Sequence, residues 1–206
     1  MIIKLVWYNE AEKILFSVLV WFWAGRGVHK AVNFMLKKRT IMIFPKFDNM
    51  VFINELRKKY DPLADKVLPH ITLVFPFESS LSKGEILNIL ENRLRIMSPF
   101  EIKAQGLSVS GRWLFLNLID GIEALSEIHG ILYKHEFSKY MPSWLSKYEY
   151  NPHITVGLLS SNDEAKSVCE QENGFQHVFY CLVDKIFVEI IGDDEESIID
   201  VEYSLC

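Results

Sequence analysis

A short pattern of reactive residues occurs twice in this chain. Residues 69–73 read PHITL, and residues 152–156 read PHITV. Histidine titrates near neutral pH, so a neutral imidazole and an imidazolium can coexist and act as base and acid in the in-line cleavage of a phosphodiester. Threonine hydroxyls can donate hydrogen bonds to the non-bridging phosphoryl oxygens. The predicted catalytic residues are His70 and His153, and the predicted phosphate-binding residues are Thr72 and Thr155.

The two copies need strands to bring these side chains together. Alternate side chains of a strand share one face, so each histidine lies about 7 Å from the threonine of its own copy, while the isoleucine and the final aliphatic residue face a core. If two such strands lie side by side around a pseudo-two-fold axis, two imidazoles and two hydroxyls converge on one cleft.

A zinc site is the alternative use of paired histidines. Zinc usually takes three protein ligands, and neither copy of the motif contains an aspartate, glutamate or cysteine. We therefore expect no metal and no cofactor.

From Arg39 onward the sequence alternates between strand-like and helix-like segments. Runs that are β-branched and apolar predict strands, and apolar residues at helical spacing predict the helices between them. The two histidine-bearing strands are each followed by a helix. This order predicts an α+β fold with two pseudo-symmetric lobes of antiparallel sheet and flanking helices around a central cleft. The predicted strands are residues 40–47, 70–77, 100–110, 113–119, 153–159, 178–191 and 198–203.

Capping signals predict where the helices begin. Asp48 or Asn49 precedes the first helical pattern, and Asp120 precedes the third. Residues 82–85 (SKGE) and 161–164 (SNDE) read as capping boxes, in which a serine and a glutamate bond reciprocally to the first turn.

Composition limits the classes of function. The net charge of −5 argues against a general nucleic-acid binder, although a local cationic site for a phosphate remains compatible with it. The chain has three cysteines without CxxC spacing, so a disulfide framework or a zinc ribbon is not expected. This pattern fits a reducing compartment and predicts a cytoplasmic protein.

The first 38 residues differ from the rest. Residues 1–38 carry six lysines and arginines against two glutamates, and residues 14–24 form the apolar run ILFSVLVWFWA. A membrane-spanning helix needs about 20 apolar residues, so this run is too short to cross a bilayer. Three interpretations stay open: a segment packed on the domain or on a second subunit, a membrane-surface anchor, and an extension without a role in the activity. We expect residues 1–38 to be an extension of the domain formed by residues 39–206.

The doubled motif resembles the signature of the 2H phosphoesterase superfamily, which includes the 2′-5′ RNA ligase-like proteins and cyclic nucleotide phosphodiesterases. The resemblance covers about residues 39–205. It implies a bilobal α+β fold with the motifs on central strands of a cleft, and metal-independent action on 2′,3′-cyclic or 2′-5′ linked phosphates. It also implies that the two histidines are acid and base and that the two threonines bind phosphate. It does not say which histidine is the acid, and the same pair permits ligation as well as hydrolysis.

Residues outside the motifs are weaker candidates for the pocket. Aromatic residues near either motif are able to stack on a nucleobase, although core packing is the alternative role for the phenylalanines. Cations elsewhere on the chain are candidate phosphate partners. The predicted pocket-lining residues are Phe75, Phe77, Tyr148, Tyr150, Lys46 and Arg112.

The sequence supports one function and leaves two others open. The favoured function is a phosphoesterase whose substrate is a nucleotide or RNA-end phosphate, because all four motif residues are present. The alternatives are a non-catalytic module that binds a nucleotide or RNA end, and an anchored protein. No stable protein partner is implied, whereas a membrane or dimer contact through residues 1–38 stays open.

Overall fold

The computed structural model describes residues 36–172 and 177–206. The strands are β1 (Lys37–Ile43), β2 (Ile71–Ser79), β3 (Phe100–Ser110), β4 (Trp113–Asp120), β5 (His153–Leu158), β6 (Phe179–Val183), β7 (Lys185–Ile191) and β8 (Ser197–Ser204). The helices are α1 (Met50–Tyr60), α2 (Lys83–Leu94), α3 (Ile122–Lys134) and α4 (Asn162–Glu172). The segment before β5, predicted as a loop, contains two 3-10 turns at Ser138–Tyr140 and Leu145–Lys147.

The strands form two four-stranded antiparallel sheets. One sheet has the order β2-β1-β7-β8 and the other has the order β5-β4-β3-β6. The unit β1-α1-β2-α2 matches the unit β4-α3-β5-α4, and in each sheet the remaining two strands add on the same side. The predicted α+β fold with two pseudo-symmetric lobes of antiparallel sheet is therefore confirmed.

The helices join the two sheets into one core. Helix α1 leaves the first sheet and packs against β5 of the second, while α3 leaves the second sheet and packs against β2 of the first. Helix α2 packs against β8, and α4 packs against β3 and β4. Buried side chains from both sheets and the four described helices form one apolar cluster. The exchange of α1 and α3 holds the two motif-bearing strands at the junction of the lobes.

The predicted capping boxes differ in completeness. At α2 both halves are present: Ser82 Oγ accepts from the Glu85 N–H at 3.3 Å, and the Glu85 carboxylate accepts from the Ser82 N–H at 2.7 Å. At α4 the Glu164 N–H donates to Ser161 Oγ at 3.1 Å, but the Glu164 carboxylate accepts from the N–H of Ser160 instead. The second box therefore reaches one residue further back than predicted.

Neither aspartate caps its helix, whereas Asn49, the alternative predicted for α1, does occupy the N-cap position of that helix. Asp48 Oδ1 accepts from the Tyr180 N–H at 3.3 Å and so joins α1 to strand β6, and no side chain caps that helix. At α3 the capping position is Gly121, with φ of 79°, while the Asp120 carboxylate lies 2.8 Å from Lys103 Nζ. A Cβ at position 121 would lie 2.6 Å from the carbonyl oxygen of Glu101, so the close approach of β3 requires glycine there.

The described residues show the state of the cysteines and the length of the helices. Cys169, Cys181 and Cys206 form no disulfide. Among the helices of residues 36–172 and 177–206, none is long and apolar enough to cross a membrane. The apolar run at residues 14–24 lies outside the described residues, and so does the dimer or membrane contact that the sequence left open.

Candidate active site

The two motif strands meet at the junction of the lobes. Strands β2 and β5 are the outermost strands of their sheets, and Cα atoms of the two strands approach within 8 Å. His70 immediately precedes β2, and His153 is the first residue of β5. The resemblance implied central strands, whereas the motifs lie on the edge strands of the two sheets, and these edge strands approach each other.

Each motif strand carries a β-bulge directly after its threonine. In β2, Thr72 pairs with Met42 and Val74 pairs with Ile41, so Leu73 has no partner on β1. A bulge inserts an extra residue, bends the strand and re-aims the side chains that follow. Consequently Leu73 and Val74 are both buried, and Phe75 shares the face of Thr72, which strict alternation would not allow.

Strand β5 repeats this irregularity. Thr155 pairs with Phe115 and Gly157 pairs with Leu114, so Val156 is the unpaired residue. Val156 and Gly157 are buried in succession, as in β2. The structural repeat therefore extends beyond the letters that the two motifs share.

The two imidazoles are anchored in the same way. His70 Nδ1 lies 2.9 Å from the carbonyl oxygen of Leu68, and His153 Nδ1 lies 2.8 Å from the carbonyl oxygen of Asn151. A carbonyl oxygen only accepts, so Nδ1 carries the proton in both rings. This arrangement leaves Nε2 of each ring as the nitrogen that can take or give a proton at a bound phosphate.

Burial sets the titration of the pair. Desolvation lowers the pKa of His70, the Leu68 carbonyl opposes it, and the positive charges of Arg57 and His153 lower this pKa further. Desolvation also lowers the pKa of His153, with the Asn151 carbonyl opposing. Of the causes that shift the pKa of His70, desolvation is the largest and the charge of His153 is the smallest.

The loop that leads into His70 is held from beneath by a buried arginine. Arg57 donates to the Asp61 carboxylate at 2.7 Å and to the Val67 carbonyl at 2.8 Å. These bonds fix the chain just before Leu68, whose carbonyl orients the imidazole of His70. Sequence reasoning missed Arg57 because its position in the helical pattern of α1 gave no sign of burial.

The two threonine side chains lie beside the imidazoles on the same strand faces. Thr72 and Thr155 are both half-buried. Among the described residues, neither hydroxyl has an intramolecular hydrogen-bond partner. Their position on the histidine face leaves both hydroxyls able to donate to a phosphoryl oxygen.

Strand β4 supplies neighbours that sequence reasoning missed. The ring of Phe115 lies 3.9 Å from the ring of His153, centroid to centroid. Asn117 is the cross-strand partner of His153, and its Oδ1 accepts from Ser108 Oγ at 2.5 Å. The predicted strand 113–119 already placed Phe115 and Asn117 on one face, but only the pairing with β5 shows that this is the histidine face.

An aromatic cavity opens beside His153. Its volume is about 360 Å³. Two of the predicted pocket residues, Phe75 and Tyr150, lie in its wall, and the Phe75 ring meets the ring of Trp144 edge-on at 4.9 Å. The lining residues are Phe75, Ser108, Val109, Ser110, Phe115, Trp144, Leu145, Glu149, Tyr150, Asn151 and His153.

Two predicted aromatic residues lie elsewhere. Phe77 is 4% exposed and packs in the core, stacked on Tyr140 and edge-on to Phe137. The bulge after Thr72 turns Phe75 to the cleft, and a second register shift between Val74 and Phe77 returns Phe77 to the core face. Tyr148 is 69% exposed and is not among the residues that line the aromatic cavity.

The two predicted cations also lie away from the imidazole of His153. Arg112 donates through Nε to the Leu159 carbonyl at 2.6 Å, which places it at the opposite end of β5. Lys46 is exposed beside Cys181 in a separate cavity of about 210 Å³. That cavity shares Phe44 with the surroundings of His70, since the two rings lie 6.4 Å apart.

The described residues offer no obvious metal site. Within residues 36–172 and 177–206, no group of three His, Cys, Asp or Glu side chains is arranged to hold a metal ion.

Comparison with known proteins gives the family. The sequence model of the 2′-5′ RNA ligase superfamily matches residues 45–195. A candidate phosphoesterase of Bacillus licheniformis is 30% identical over 138 residues, which cover 64% of this chain and 76% of that protein. A candidate phosphoesterase of Geobacillus thermodenitrificans is 28% identical over 149 residues, covering 69% of this chain and 81% of that protein.

Solved structures share the fold. The crystal structure of a phosphoesterase superposes with a TM-score of 0.58 at 18% identity, covering 83% of this chain and 99% of the other. Escherichia coli LigT complexed with ATP superposes with a TM-score of 0.54 at 19% identity, again covering 83% of this chain and 99% of the other. Because the family match spans well over half of its length, this chain belongs to the 2′-5′ RNA ligase superfamily and thus to the 2H phosphoesterases.

Proposed function

We propose that this protein is a phosphoesterase that opens a 2′,3′-cyclic phosphate or cleaves a 2′-5′ linkage at a nucleotide or RNA end. In the proposed reaction His70 and His153 are the acid and base, and no metal takes part. The observation that carries the proposal is the matched anchoring of the two imidazoles, each with Nδ1 bonded to the carbonyl two residues earlier.

The proposed hydrolysis needs one imidazole in each protonation state. The neutral Nε2 removes a proton from water as the water oxygen bonds to phosphorus, and the imidazolium donates its proton to the leaving oxygen as the phosphorus–oxygen bond breaks. The net change is the addition of one water molecule. Thr72 and Thr155 donate to the non-bridging oxygens, where negative charge builds up.

The aromatic cavity supports a nucleoside on one side of the phosphate. Phe75, Trp144 and Tyr150 present ring surfaces beside His153, and aromatic rings bind nucleobases by stacking. LigT, which shares the fold, has been crystallised with ATP, with NADP+ and with 3′-AMP. These complexes support a nucleotide as the ligand here.

The test is turnover under chelation. The full-length protein with EDTA is given 2′,3′-cyclic nucleotides, 2′-5′ linked dinucleotides and ADP-ribose cyclic phosphate, and products are separated by chromatography. Turnover of one class that survives EDTA and disappears in H70A and H153A supports the proposal. Tight binding of the same compounds without turnover indicates a non-catalytic binding module instead.

A further inference from the structure

Side chains bond to the backbone of β2 where its bulge breaks the pairing with β1. Leu73 and Phe75 have no partner on β1. The Leu73 carbonyl accepts from His129 Nδ1 at 2.8 Å, and the Phe75 N–H donates to Tyr133 Oη at 2.9 Å. Both side chains come from α3, the helix that crosses from the other lobe. Backbone groups that the bulge frees are thus satisfied across the lobe junction.

One further bond joins the two motifs directly. Tyr150 Oη donates to the Thr72 carbonyl at 2.7 Å. Tyr150 lies three residues before His153, and Thr72 belongs to the other motif. Since β2 and β5 belong to different sheets, this hydrogen bond is a direct polar link between the two segments that carry the reactive side chains.

The Tyr150 ring is itself held in place. It stacks on the His129 ring with 3.7 Å between centroids and 5° between planes, and His129 meets Tyr133 edge-on at 4.9 Å. Burial raises the pKa of the Tyr150 hydroxyl and lowers the pKa of His129, so the phenol keeps its proton as a donor and the imidazole stays neutral. The three rings form one block against β2.

Building on the proposed phosphoesterase function, we propose that Tyr150 is a positioning residue, which sets the separation of the two imidazoles by tying the segment before His153 to the backbone of Thr72. Its hydroxyl acts on the Thr72 backbone, so it aligns the motifs through the strand. Nothing else in the proposed reaction requires the Tyr150 hydroxyl.

Tyr133→Phe is the matched control for Tyr150→Phe. Both changes remove one hydroxyl that bonds to the β2 backbone and keep the ring. Only Tyr150 lies on the chain that leads into His153. A purely structural role for both hydroxyls predicts the same outcome for the two variants, whereas positioning predicts a difference.

The first readout is kinetic. Misalignment of reacting groups by about 1 Å is able to cost roughly 100-fold in rate, so Y150F is expected to lower kcat by about 10- to 100-fold with KM changed less than about 3-fold. Y133F is expected to keep kcat within about 3-fold of wild type. Equal kcat values for Y150F and wild type would overturn the proposal.

The second readout does not need turnover. NMR titration of the imidazoles in the full-length protein reports the pKa of His70 with and without the charge of residue 153. His153→Gln is expected to raise that pKa in the wild-type background, because the His153 charge lowers it. The rise is expected to be smaller in the Y150F background and unchanged in Y133F. An equal rise in all three backgrounds would contradict the positioning role.

The two readouts separate the two proposals. If no compound is turned over by the wild type, the phosphoesterase proposal fails while the titration still decides the positioning role. Should Y150F fail to fold, His129→Asn removes the supporting ring stack and leaves the hydroxyl, and the same reduced rise is expected from it.

Discussion

Leu73 and Val156 hold equivalent positions in the two lobes, each as the unpaired residue of a bulge that directly follows a motif threonine. Strand alternation puts the imidazole and the hydroxyl of each motif on one face, and the bulge then turns the strand. In β2 the turn brings Phe75 to the aromatic cavity, and in β5 it leaves Gly157 against helix α1. The geometry of the candidate active site therefore rests on two matched irregularities as well as on two matched motifs.

Removal of either imidazole should abolish most of the activity. A positioned acid or base contributes about 10²- to 10⁴-fold to rate, so H70A and H153A are each expected to lower kcat within that range. The double variant should lose little more than the worse single variant, because the two groups act as a unit. His135→Ala, an exposed histidine at the end of α3, is the control and should retain activity. Full activity in either motif variant would contradict the assignment.

The pH profile should be shifted to the acid side. Desolvation lowers the pKa of both motif histidines, and the active state has one imidazole charged and one neutral. The population of that state peaks between the two pKa values, so kcat/KM should be highest below about pH 6.5, the ordinary histidine value.

Bound substrate should raise the pH at which the rate is highest. A bound phosphate anion stabilises both imidazoliums and raises their pKa values, so kcat should peak at a higher pH than kcat/KM. Steady-state rates between pH 4 and 9 measure both profiles. An optimum of kcat/KM above pH 7 would show that burial does not control the pKa values of the two motif histidines.

The threonine hydroxyls should matter more for the rate than for the fold. Thr72→Val and Thr155→Val keep the shape but remove a donor to the phosphoryl oxygens, and each is expected to lower kcat by about 10²- to 10³-fold. The serine variants at both positions keep the hydroxyl and serve as controls. Valine variants that match wild type in kcat would indicate that the threonines only shape the strands.

Phe75 and Phe77 should respond in opposite ways although they are two residues apart. Phe75→Ala opens the cavity wall and is expected to raise KM for a nucleotide by about 10-fold through lost stacking, with a small change in stability. Phe77→Ala leaves a hole in the core and should cost about 3–5 kcal/mol of the free energy of unfolding. Enzyme kinetics and urea unfolding of both variants measure these effects. A large loss of stability in Phe75→Ala, or a raised KM without a loss of stability in Phe77→Ala, would contradict the assignment.

Gly157 should resist substitution. A Cβ there would lie 2.9 Å from Cβ of Tyr60 and 3.3 Å from Cβ of Leu114, so Gly157→Ala should destabilise the protein by about 1–3 kcal/mol through overpacking of α1 on β5. Gly84→Ala is the control, since nothing lies within 4 Å of its Cβ position, and in a helix it should stabilise by about 0.5–1 kcal/mol. Thermal unfolding distinguishes the two, and a neutral Gly157→Ala would show that α1 adjusts freely.

Local patterns were sufficient for the framework. The alternation of the motif strands put each histidine with its own threonine, and the capping box at Ser82–Glu85 located the start of α2. These features depend on neighbouring residues only, so sequence spacing reports them. The predicted caps at Asp48 and Asp120 did not form, because both aspartates bond to residues distant in sequence. Asp48 accepts from the Tyr180 N–H, and Asp120 forms an ion pair with Lys103.

The sequence by itself determined the doubled motif, the order of strands and helices, and the reactive groups available to the site. Only the tertiary structure decided that the motifs lie on facing edge strands, that Phe75 enters the cleft while Phe77 enters the core, and that Tyr150 bonds to Thr72. The physical reason is the distance along the sequence over which each interaction acts. Side-chain alternation and helix capping act within a few residues, whereas a bulge, a burial-shifted pKa and an inter-lobe hydrogen bond each depend on the partner strand or helix that folding brings alongside.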